Sequence, residues 1–335
     1  MGSKVMTYRA IKLVKRPVTD INNEHFELVT LNKPELKSGE VLIKLSHLSL
    51  DPAMRGWMSA DEESYIPPVS LDSVMRASGI GHVVESQNED FPQGTRVMGL
   101  LGLAEYAVSN GKGLNKIPDS LSAEAIMCVI ALPGITAYHG LFEVLKPEAG
   151  QTIAITAAAG SVGSLVGQMA KHQGLTVIGV AGSEQKCDWL KDTLNFDHGL
   201  NYKDANFAEQ LKSAAPQGID LFFENTGGLA QSIIFDMMNA HGRIAVCGMI
   251  AEYNKVAPAP GPSWIGIIKK RLQIQGFTMP DHFHRIGEYG QALAAMLAKG
   301  ELAYRAHTLN GLESAPDGIQ LLFSGENQGK MIVAL

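Results

Sequence analysis

The chain has 335 residues, of which 45% are hydrophobic and 19% are charged, and its formal net charge is −6. This length predicts two domains with buried cores, and the composition is that of a globular protein. The acidic balance and the absence of a basic tract exclude a typical nucleic-acid-binding protein.

The cysteines and the first residues predict a cytoplasmic protein. Cys128, Cys187 and Cys247 are far apart and form no paired motif, which is typical of a reducing compartment. Charged and polar residues interrupt the opening MGSKVMTYRAIKLV, so we expect no signal peptide there. No uninterrupted apolar stretch reaches about 18 residues, so we expect no membrane span.

The predicted elements change in character along the chain. Residues up to about 120 are rich in strands and turns, as in EVLIKLSHLSL, GIGHVVES and AEYAVS. From about 121, helices and strands alternate, which predicts parallel βαβ construction. We expect helices near 123–129, 136–144, 162–173, 184–194, 207–214, 230–238 and 283–299. We expect strands in TIAIT, LTVIGV, 199–202, IDLFFE, GRIAVCGM and RLQIQGFT, and a final strand in GKMIVAL that returns to the first domain.

Two segments containing prolines do not fit this alternation, namely 58–75 and 251–264. Proline lacks the backbone N–H and is excluded from central strands, so both are expected to be surface loops. Loops of this length within a compact domain are commonly functional.

The segment TIAITAAAGSVG leads from an apolar strand through small residues into a helix. It resembles the dinucleotide fingerprint G-x-G-x-x-G, with Ala158 at the first position and Gly160 and Gly163 at the other two. A side chain at Gly160 would hold a pyrophosphate away from the backbone, and one at Gly163 would push the helix off the strand. The helix N-terminus favours phosphate. Dinucleotide binding is therefore predicted, with a tight strand–helix crossing as the alternative interpretation.

The residues after the second strand favour NADPH over NADH. NAD sites usually carry an acidic residue about 20 residues past the glycines. Here the strand continues into Ala181-Gly182-Ser183 without an acid, and Lys186 follows, where its ammonium can meet a 2′-phosphate. Glu184 is interpreted, with Ser183, as the capped first turn of a helix. A solvated helix lysine is the alternative interpretation of Lys186.

Segments over nearly the whole chain resemble one family in its own order. They are SLDPAMRGWM, SYIPPV, LPGITAYHGL, AAAGSVGSLVGQMAK, ENTGG, CGMIAEYN, LQIQGF and GENQGKMIV. Together they resemble the zinc-independent medium-chain dehydrogenase/reductases, and within them the NADPH-dependent prostaglandin reductase and curcumin reductase group. The resemblance implies an α/β protein with a GroES-like β-rich catalytic domain at 1–124, completed by 302–335. It implies a Rossmann NADPH-binding domain with a doubly wound parallel sheet at 125–301, and a homodimer.

The zinc ligands of the better-known branch of this family are missing. Zinc alcohol dehydrogenases carry a cysteine near the position of Asp51 and a His-Glu pair after a glycine. Here Ser49-Leu50-Asp51 has no thiol, Gly81-His82 is followed by valine, and residues 90–115 contain no cysteine. Without these donors a tetrahedral zinc site has no ligands, so no metal is predicted.

A metal-free site favours reduction of a C=C bond conjugated to a carbonyl over reduction of an isolated ketone. Hydride addition to the β-carbon places the charge on an enolate oxygen, which a hydroxyl group can stabilise. The resemblance implies NADPH-dependent reduction of α,β-unsaturated aldehydes and ketones, with no nucleic-acid or membrane partner. The alternatives are an NADPH-dependent quinone reductase, which needs no carbon protonation, and a non-catalytic NADPH-binding protein.

The resemblance also assigns residues. It implies catalytic roles for Tyr253 and Tyr65, each with a packing tyrosine as the alternative interpretation. It places Met54 and Arg55 in the substrate pocket, beside Ala53, where the family often has an aromatic residue. The implied cofactor-binding residues are Gly160, Ser161, Val162, Gly163, Lys186, Tyr202, Asn225, Cys247, Gly248, Phe277, Thr278 and Asn327.

Overall fold

The computed structural model describes residues 6–257 and 259–335, and the chain divides into two compact units. Unit 1 comprises the residues up to Glu124 together with His307–Asn327 and Met331–Leu335. Unit 2 comprises Ala125–Ala306 and Gln328–Lys330.

The strands are numbered in chain order. They are β1 (Thr7–Leu13), β2 (Phe26–Asn32), β3 (Val41–Ser49), β4 (Ser73–Val74), β5 (Ser78–Ser86), β6 (Arg96–Leu100), β7 (Tyr106–Ser109), β8 (Asn115–Lys116), β9 (Thr152–Ile155), β10 (Thr176–Ala181), β11 (His198–Asn201), β12 (Ile219–Glu224), β13 (Met238–Val246), β14 (Gln273–Gly276), β15 (Ala306–Asn310) and β16 (Lys330–Ala334).

The helices are α1 (Met54–Trp57), α2 (Ala123–Ala125), α3 (Leu132–Tyr138), α4 (Gly163–His172), α5 (Glu184–Asp192), α6 (Phe207–Ala214), α7 (Gly228–Asp236), α8 (Trp264–Lys270), α9 (Ile286–Ala298) and α10 (Ala315–Ser324). Short 3₁₀ segments lie at Asn23–His25, Met279–Arg285 and Leu312–Ser314, and wider π-type turns lie at Ile126–Ile130 and His139–Leu145.

Unit 1 is built mainly from antiparallel strands. One of its sheets has the order β15-β16-β3-β5-β6-β8, with β7 also paired to β3, and another has the order β2-β1-β4. The chain's last strand, β16, pairs with β3 and places Ile332 opposite Ser49. Apolar side chains such as Ile43, Leu48 and Met331 form the buried core of this unit.

Unit 2 contains a sheet with the strand order β11-β10-β9-β12-β13-β14, and each neighbouring pair described is parallel. The chain moves from β9 outward to β11, and then returns to β12 and moves outward to β14. The order therefore reverses between β9 and β12, which is the switch point where doubly wound sheets bind ligands at the carboxyl ends of their strands. A β-rich unit followed by a parallel sheet with helices confirms the predicted α/β fold class.

Most of the predicted elements of unit 2 are present, with differences at their ends. The helix at 207–214 has the bounds of α6, whereas the helix expected over 283–299 is a 3₁₀ segment followed by α9. β13 begins before GRIAVCGM and ends at Val246, and the N–H groups of Cys247 and Gly248 that follow it share one acceptor, the carbonyl oxygen of Glu224. The short α8, which follows the proline-containing loop directly, is not predicted by the sequence pattern.

The helical stretch Ala123–Leu145 has 23 residues and a mean hydropathy of 1.7, enough by length and composition to cross a membrane. The count of uninterrupted apolar residues missed it because polar side chains such as Glu124 and Thr136 interrupt it. Because 72% of its most apolar window is buried within the structure, it has the burial of a core helix.

Candidate active site

Two positions in the turn between β9 and α4 require glycine for different structural reasons. A Cβ atom at Gly163 would lie 2.6 Å from the carbonyl oxygen of Ala157 and 2.8 Å from the Cα of Ala158, so α4 can begin here only with glycine. A Cβ at Gly160 would meet, among the described residues, one atom within 4 Å, the Ala157 oxygen at 3.1 Å. The tight-crossing interpretation therefore explains Gly163, while the open space at Gly160 fits the close approach of a pyrophosphate.

Alanine at the first fingerprint position is accommodated by the neighbouring strand. The N–H of Ala158 donates to the carbonyl oxygen of Val180 at 3.0 Å, which holds the turn against β10. A Cβ at Gly179 would lie 3.0 Å from the Cβ of Ala158, so a glycine on β10 leaves room for the extra methyl group. Ala157 carries the left-handed backbone, with φ +47°.

Two lysines, Lys186 and Lys203, place positive charge at the end of β10. A Cβ at Gly182 would lie 3.2 Å from the ring of Tyr202 and 3.5 Å from Cε of Lys203, so both side chains lie against this strand end. Burial and the nearby Lys203 ammonium lower the pKa of Lys186. Two ammonium groups in one place repel each other and attract an anion, which fits a 2′-phosphate.

Lys203 is not among the residues predicted from the sequence. It lies beyond β11, and only the pairing of β11 with β10 brings it beside Lys186. The predicted first turn of α5 is confirmed, because the Ser183 hydroxyl accepts from the N–H of Lys186 at 3.4 Å. Oε1 of Glu184 accepts from Asn201 at 3.1 Å, which holds this carboxylate on the helix start.

A buried network joins the ends of β9 and β12. Nδ2 of Asn225 donates to the carbonyl oxygen of Thr156 at 2.8 Å, and its N–H donates to the Thr156 hydroxyl oxygen at 2.8 Å. That hydroxyl donates to Oε1 of Glu224 at 2.7 Å, which also accepts from the N–H groups of Thr226 at 2.5 Å and Gly227 at 3.0 Å. Glu224 is fully buried, and its burial raises the pKa of the carboxyl group. The network holds Asn225 at the switch point.

The end of β13 is bonded to the same place. The N–H groups of Cys247 and Gly248 donate to the carbonyl oxygen of Glu224 at 2.9 and 3.2 Å. Burial raises the pKa of the Cys247 thiol to about 12. The thiol is therefore protonated at neutral pH and acts as a small apolar side chain.

Tyr253 folds back onto the end of β13. Its hydroxyl oxygen accepts a hydrogen bond from the N–H of Met249 at 3.1 Å, and a Cβ at Gly248 would lie 3.2 Å from that oxygen. The ring remains partly exposed, with 36% of the residue accessible. The phenol is thus fixed at the carboxyl edge of the sheet while part of the ring stays open to solvent.

The loop that carries Tyr253 is docked on the turn between β12 and α7. The N–H of Ile250 donates to the carbonyl oxygen of Asn225 at 3.1 Å, and that of Ala251 donates to Thr226 at 2.9 Å. Asn225 and Tyr253 therefore belong to neighbouring, hydrogen-bonded segments of one edge.

Phe277 and Thr278 directly follow β14. The Phe277 ring lies 5.3 Å from the ring of His139, and a Cβ at Gly140 would lie 2.7 Å from its Cζ. His139 stacks on His282 at 3.8 Å between ring centroids. Burial and the neighbouring imidazole lower the pKa of His139 to about 4, so this histidine is neutral at pH 7.

The remaining predicted site residues lie in unit 1. Met54 is fully buried in the core of this unit. Arg55 is also buried, and its Nη2 donates to the carbonyl oxygens of Val18 and Thr19, each at 3.3 Å. Tyr65 is 55% exposed. The catalytic role of Tyr65 and the assignment of Met54 and Arg55 to the substrate pocket stay predictions.

Asn327 ends one segment of unit 1, and Gln328 belongs to unit 2, where its Nε2 donates to Oε1 of Gln185 at 3.2 Å. The cofactor role of Asn327 also stays a prediction. Among residues 6–257 and 259–335, no group of three or more His, Cys, Asp or Glu side chains is arranged to hold a metal ion.

Comparison with known proteins places the chain in a family. Residues 9–117 match the model described as the N-terminal domain of oxidoreductase, and residues 161–298 match that of zinc-binding dehydrogenase. The NADPH-dependent curcumin reductase of Escherichia coli is 37% identical, covering 99% of this chain and 98% of its own. The chain belongs to the medium-chain dehydrogenase/reductase family.

Other members of this family are similarly close. The NADP(+)-dependent 2-alkenal reductase of Nicotiana tabacum is 38% identical, covering 91% of this chain and 90% of its own. The crystal structure of CurA from Vibrio vulnificus in complex with NADPH has a TM-score of 0.93 at 40% identity, covering 97% of this chain and 98% of that one. The predicted membership of the double-bond reductase group is confirmed.

Proposed function

We propose that this protein reduces the C=C bond of α,β-unsaturated aldehydes and ketones with NADPH. The observation that carries the proposal is the position of Tyr253, whose hydroxyl is held by the N–H of Met249 at the same sheet edge as the open turn at Gly160. The relatives named for 2-alkenal and curcumin reduction support the reaction class.

The cofactor is NADPH, and a set of residues is proposed to hold it. The open turn at Gly160, with Ser161, Val162 and the start of α4, would hold the pyrophosphate. Lys186, Tyr202 and Lys203 would hold the 2′-phosphate. The groups proposed at the nicotinamide end are Asn225, Cys247, Gly248, Phe277, Thr278 and Asn327. When bound, the reduced nicotinamide supplies a hydride for the β-carbon of the substrate.

Tyr253 acts on the other end of the conjugated system. As the β-carbon becomes saturated, negative charge develops on the carbonyl oxygen, and the phenol donates a hydrogen bond to it. Because the N–H of Met249 donates into the phenol oxygen, the hydroxyl is polarised and becomes a stronger donor. A proton from this hydroxyl or from water then completes the product at the α-carbon. Tyr65 is proposed as a second catalytic residue, and Met54 and Arg55 are proposed to line the substrate pocket.

Oxidation of NADPH followed by absorbance, with a 2-alkenal, a dienone and a quinone as substrates, tests the proposal. We expect turnover of the enones and a loss of about 100- to 1,000-fold in kcat for Tyr253→Phe, the size expected for one hydrogen-bond donor to a developing oxyanion. Turnover of the quinone alone, unaffected by Tyr253→Phe, would instead identify a quinone reductase. Tight binding of NADPH with no turnover would identify a binding protein.

The proposal includes a homodimer that works in the cytoplasm on small molecules. β14 lies at the end of the described sheet of unit 2, and Trp264, Ile265 and Ile268 of the adjacent α8 are exposed. A second copy related by a two-fold axis would cover this strand edge and its apolar neighbours. Light scattering on the intact chain should give twice the chain mass, and Ile268→Glu should shift it toward one chain mass.

A further inference from the structure

Glu252, directly before Tyr253, is a carboxylate with both oxygens engaged inside an exposed loop. Oε1 accepts from Nζ of Lys255 at 2.8 Å, and Oε2 accepts from the N–H of Ala259 at 2.8 Å. The Glu252 side chain is 9% exposed, although most neighbouring residues of the loop are exposed. A surface carboxylate that served only for solubility would point into water instead.

The stem of Glu252 packs against the turn that precedes α7. A Cβ at Gly227 would lie 3.1 Å from Cγ of Glu252 and 2.9 Å from Cε of Met249. Gly227 has φ +76°, and because it carries no Cβ the turn leaves room for both side chains. The N–H of Glu252 donates to the carbonyl oxygen of Met249 at 2.8 Å. Glu252 is therefore fixed beside Gly227 and Met249, and the N–H of Met249 is the group that bonds the Tyr253 hydroxyl.

We propose that Glu252 is a positioning residue that holds the loop of Tyr253 closed on the β12–α7 turn and so keeps the Tyr253 hydroxyl on the N–H of Met249. This inference rests on the proposed role of Tyr253. The carboxylate precedes Tyr253 and bonds Lys255 and Ala259, which follow it, so it ties together the two sides of the tyrosine. These bonds disfavour conformations in which the phenol would point elsewhere, and this ordering is then complete before substrate binds.

The two bonds of Glu252 differ in strength. The ion pair with Lys255 is exposed, with 45% of the lysine side chain accessible, and pairs of this kind contribute little. The bond from the N–H of Ala259 to an ionised oxygen on a mostly buried side chain is the stronger of the two. The two bonds also lower the pKa of Glu252, which keeps the carboxylate ionised at neutral pH.

These differences predict how much kcat each of three variants loses. Glu252→Ala removes both bonds, and we expect kcat for an enone to fall about 10-fold, which corresponds to the loss of one charge-assisted hydrogen bond. Glu252→Gln keeps an acceptor for Ala259 and should lose about threefold. Lys255→Met removes only the exposed pair and should change kcat by less than about twofold. Glu209→Gln, an exposed acid on α6, is the matched control for loss of charge.

A double-mutant cycle with Tyr253→Phe, measured on the full-length enzyme, is the decisive experiment. If Glu252 acts through Tyr253, Glu252→Ala lowers kcat in the parent enzyme and causes no further loss in the Tyr253→Phe background. Equal losses in both backgrounds would overturn the proposal, because a general structural role does not depend on the phenol. The KM for NADPH is expected to stay within about twofold, since Glu252 touches no proposed cofactor residue.

Amide hydrogen exchange without cofactor gives an independent reading. Glu252→Gln and Glu252→Ala should speed exchange at Met249 and Ala259, while amides of β9 should stay protected. Unchanged exchange at Met249 would overturn the positioning role. If Tyr253→Phe leaves kcat unchanged, the proposed function of Tyr253 fails, while the exchange result still decides whether Glu252 holds the loop.

Discussion

The hydroxyl of Tyr253 and the N–H of Met249 are joined by a 3.1 Å hydrogen bond within one short loop. The bond turns the phenol back onto the end of β13, where Gly248 supplies space for it. The sheet edge thereby carries a hydroxyl group close to the turns that follow neighbouring strands. This relationship connects the predicted catalytic residue to a defined backbone position.

The two fingerprint glycines should respond differently to substitution. Gly163→Ala places a Cβ against backbone atoms that cannot move aside, so we expect a loss of about 1–3 kcal/mol in unfolding free energy. Gly160→Val should cost less stability than Gly163→Ala, because its Cβ meets, among the described residues, only the Ala157 oxygen at 3.1 Å, and it should weaken NADPH binding because its side chain enters the space beyond. Thermal unfolding and NADPH titration separate the two. A Gly160→Val protein with normal NADPH affinity would contradict the placement of the pyrophosphate.

Lys203 should contribute to the choice of NADPH over NADH. Lys203→Ala removes one of the two ammonium groups near Gly182, and we expect the KM for NADPH to rise about 10-fold, as for loss of one phosphate contact. The KM for NADH should change little, because it lacks the 2′-phosphate. Lys212→Ala, a lysine elsewhere in unit 2, is the control. Equal effects on both cofactors would remove Lys203 from the site.

His139 should make the fold sensitive to acid. The pKa of His139 is lowered to about 4 from 6.5, so the folded state binds its proton less readily than the unfolded chain. This group's stabilisation is complete above pH 6.5 and is lost as the pH falls toward 4, by up to about 1.4 kcal/mol per pH unit. Urea unfolding at a series of pH values should show a shallower acid decline for His139→Phe than for the parent protein. His284→Asn, an exposed histidine, should leave the decline unchanged.

Glu224 should have the opposite pH dependence. Burial raises the pKa of Glu224, so the folded state holds this proton more tightly than the unfolded chain. Its stabilising contribution is complete below its ordinary pKa and is lost as the pH rises through the raised value. Glu224→Gln should remove this dependence, as measured by unfolding against pH.

A larger change at the same position tests the network itself. Glu224→Leu would leave the buried donors of Thr156 and Gly227 without their acceptor, at a cost of about 1–3 kcal/mol for each orphaned group. A Glu224→Leu protein as stable as the parent would show that the network contributes little to folding.

Much of the fold followed from the sequence because its elements are local patterns. The alternation of apolar strands and helices from TIAIT to RLQIQGFT predicted a parallel sheet, and the sheet has the expected strands. The errors lie where local pattern competes with tertiary contacts. β13 ends at Val246, beyond which Cys247 and Gly248 share the carbonyl oxygen of Glu224, and no feature of GRIAVCGM signals that partner.

The family, the α/β fold class and the small-residue turn were accessible from the sequence by itself, because glycine, alanine and proline restrict the backbone wherever they occur. The sequence also selected Tyr253 and Lys186 as residues for test. Only the tertiary structure decided what stands beside them. Strand pairing and loop docking bring distant residues together. The pairs are Lys203 with Lys186, Glu252 with Gly227, and His139 with His282. Such contacts depend on the register of distant segments, which no local pattern of residues encodes.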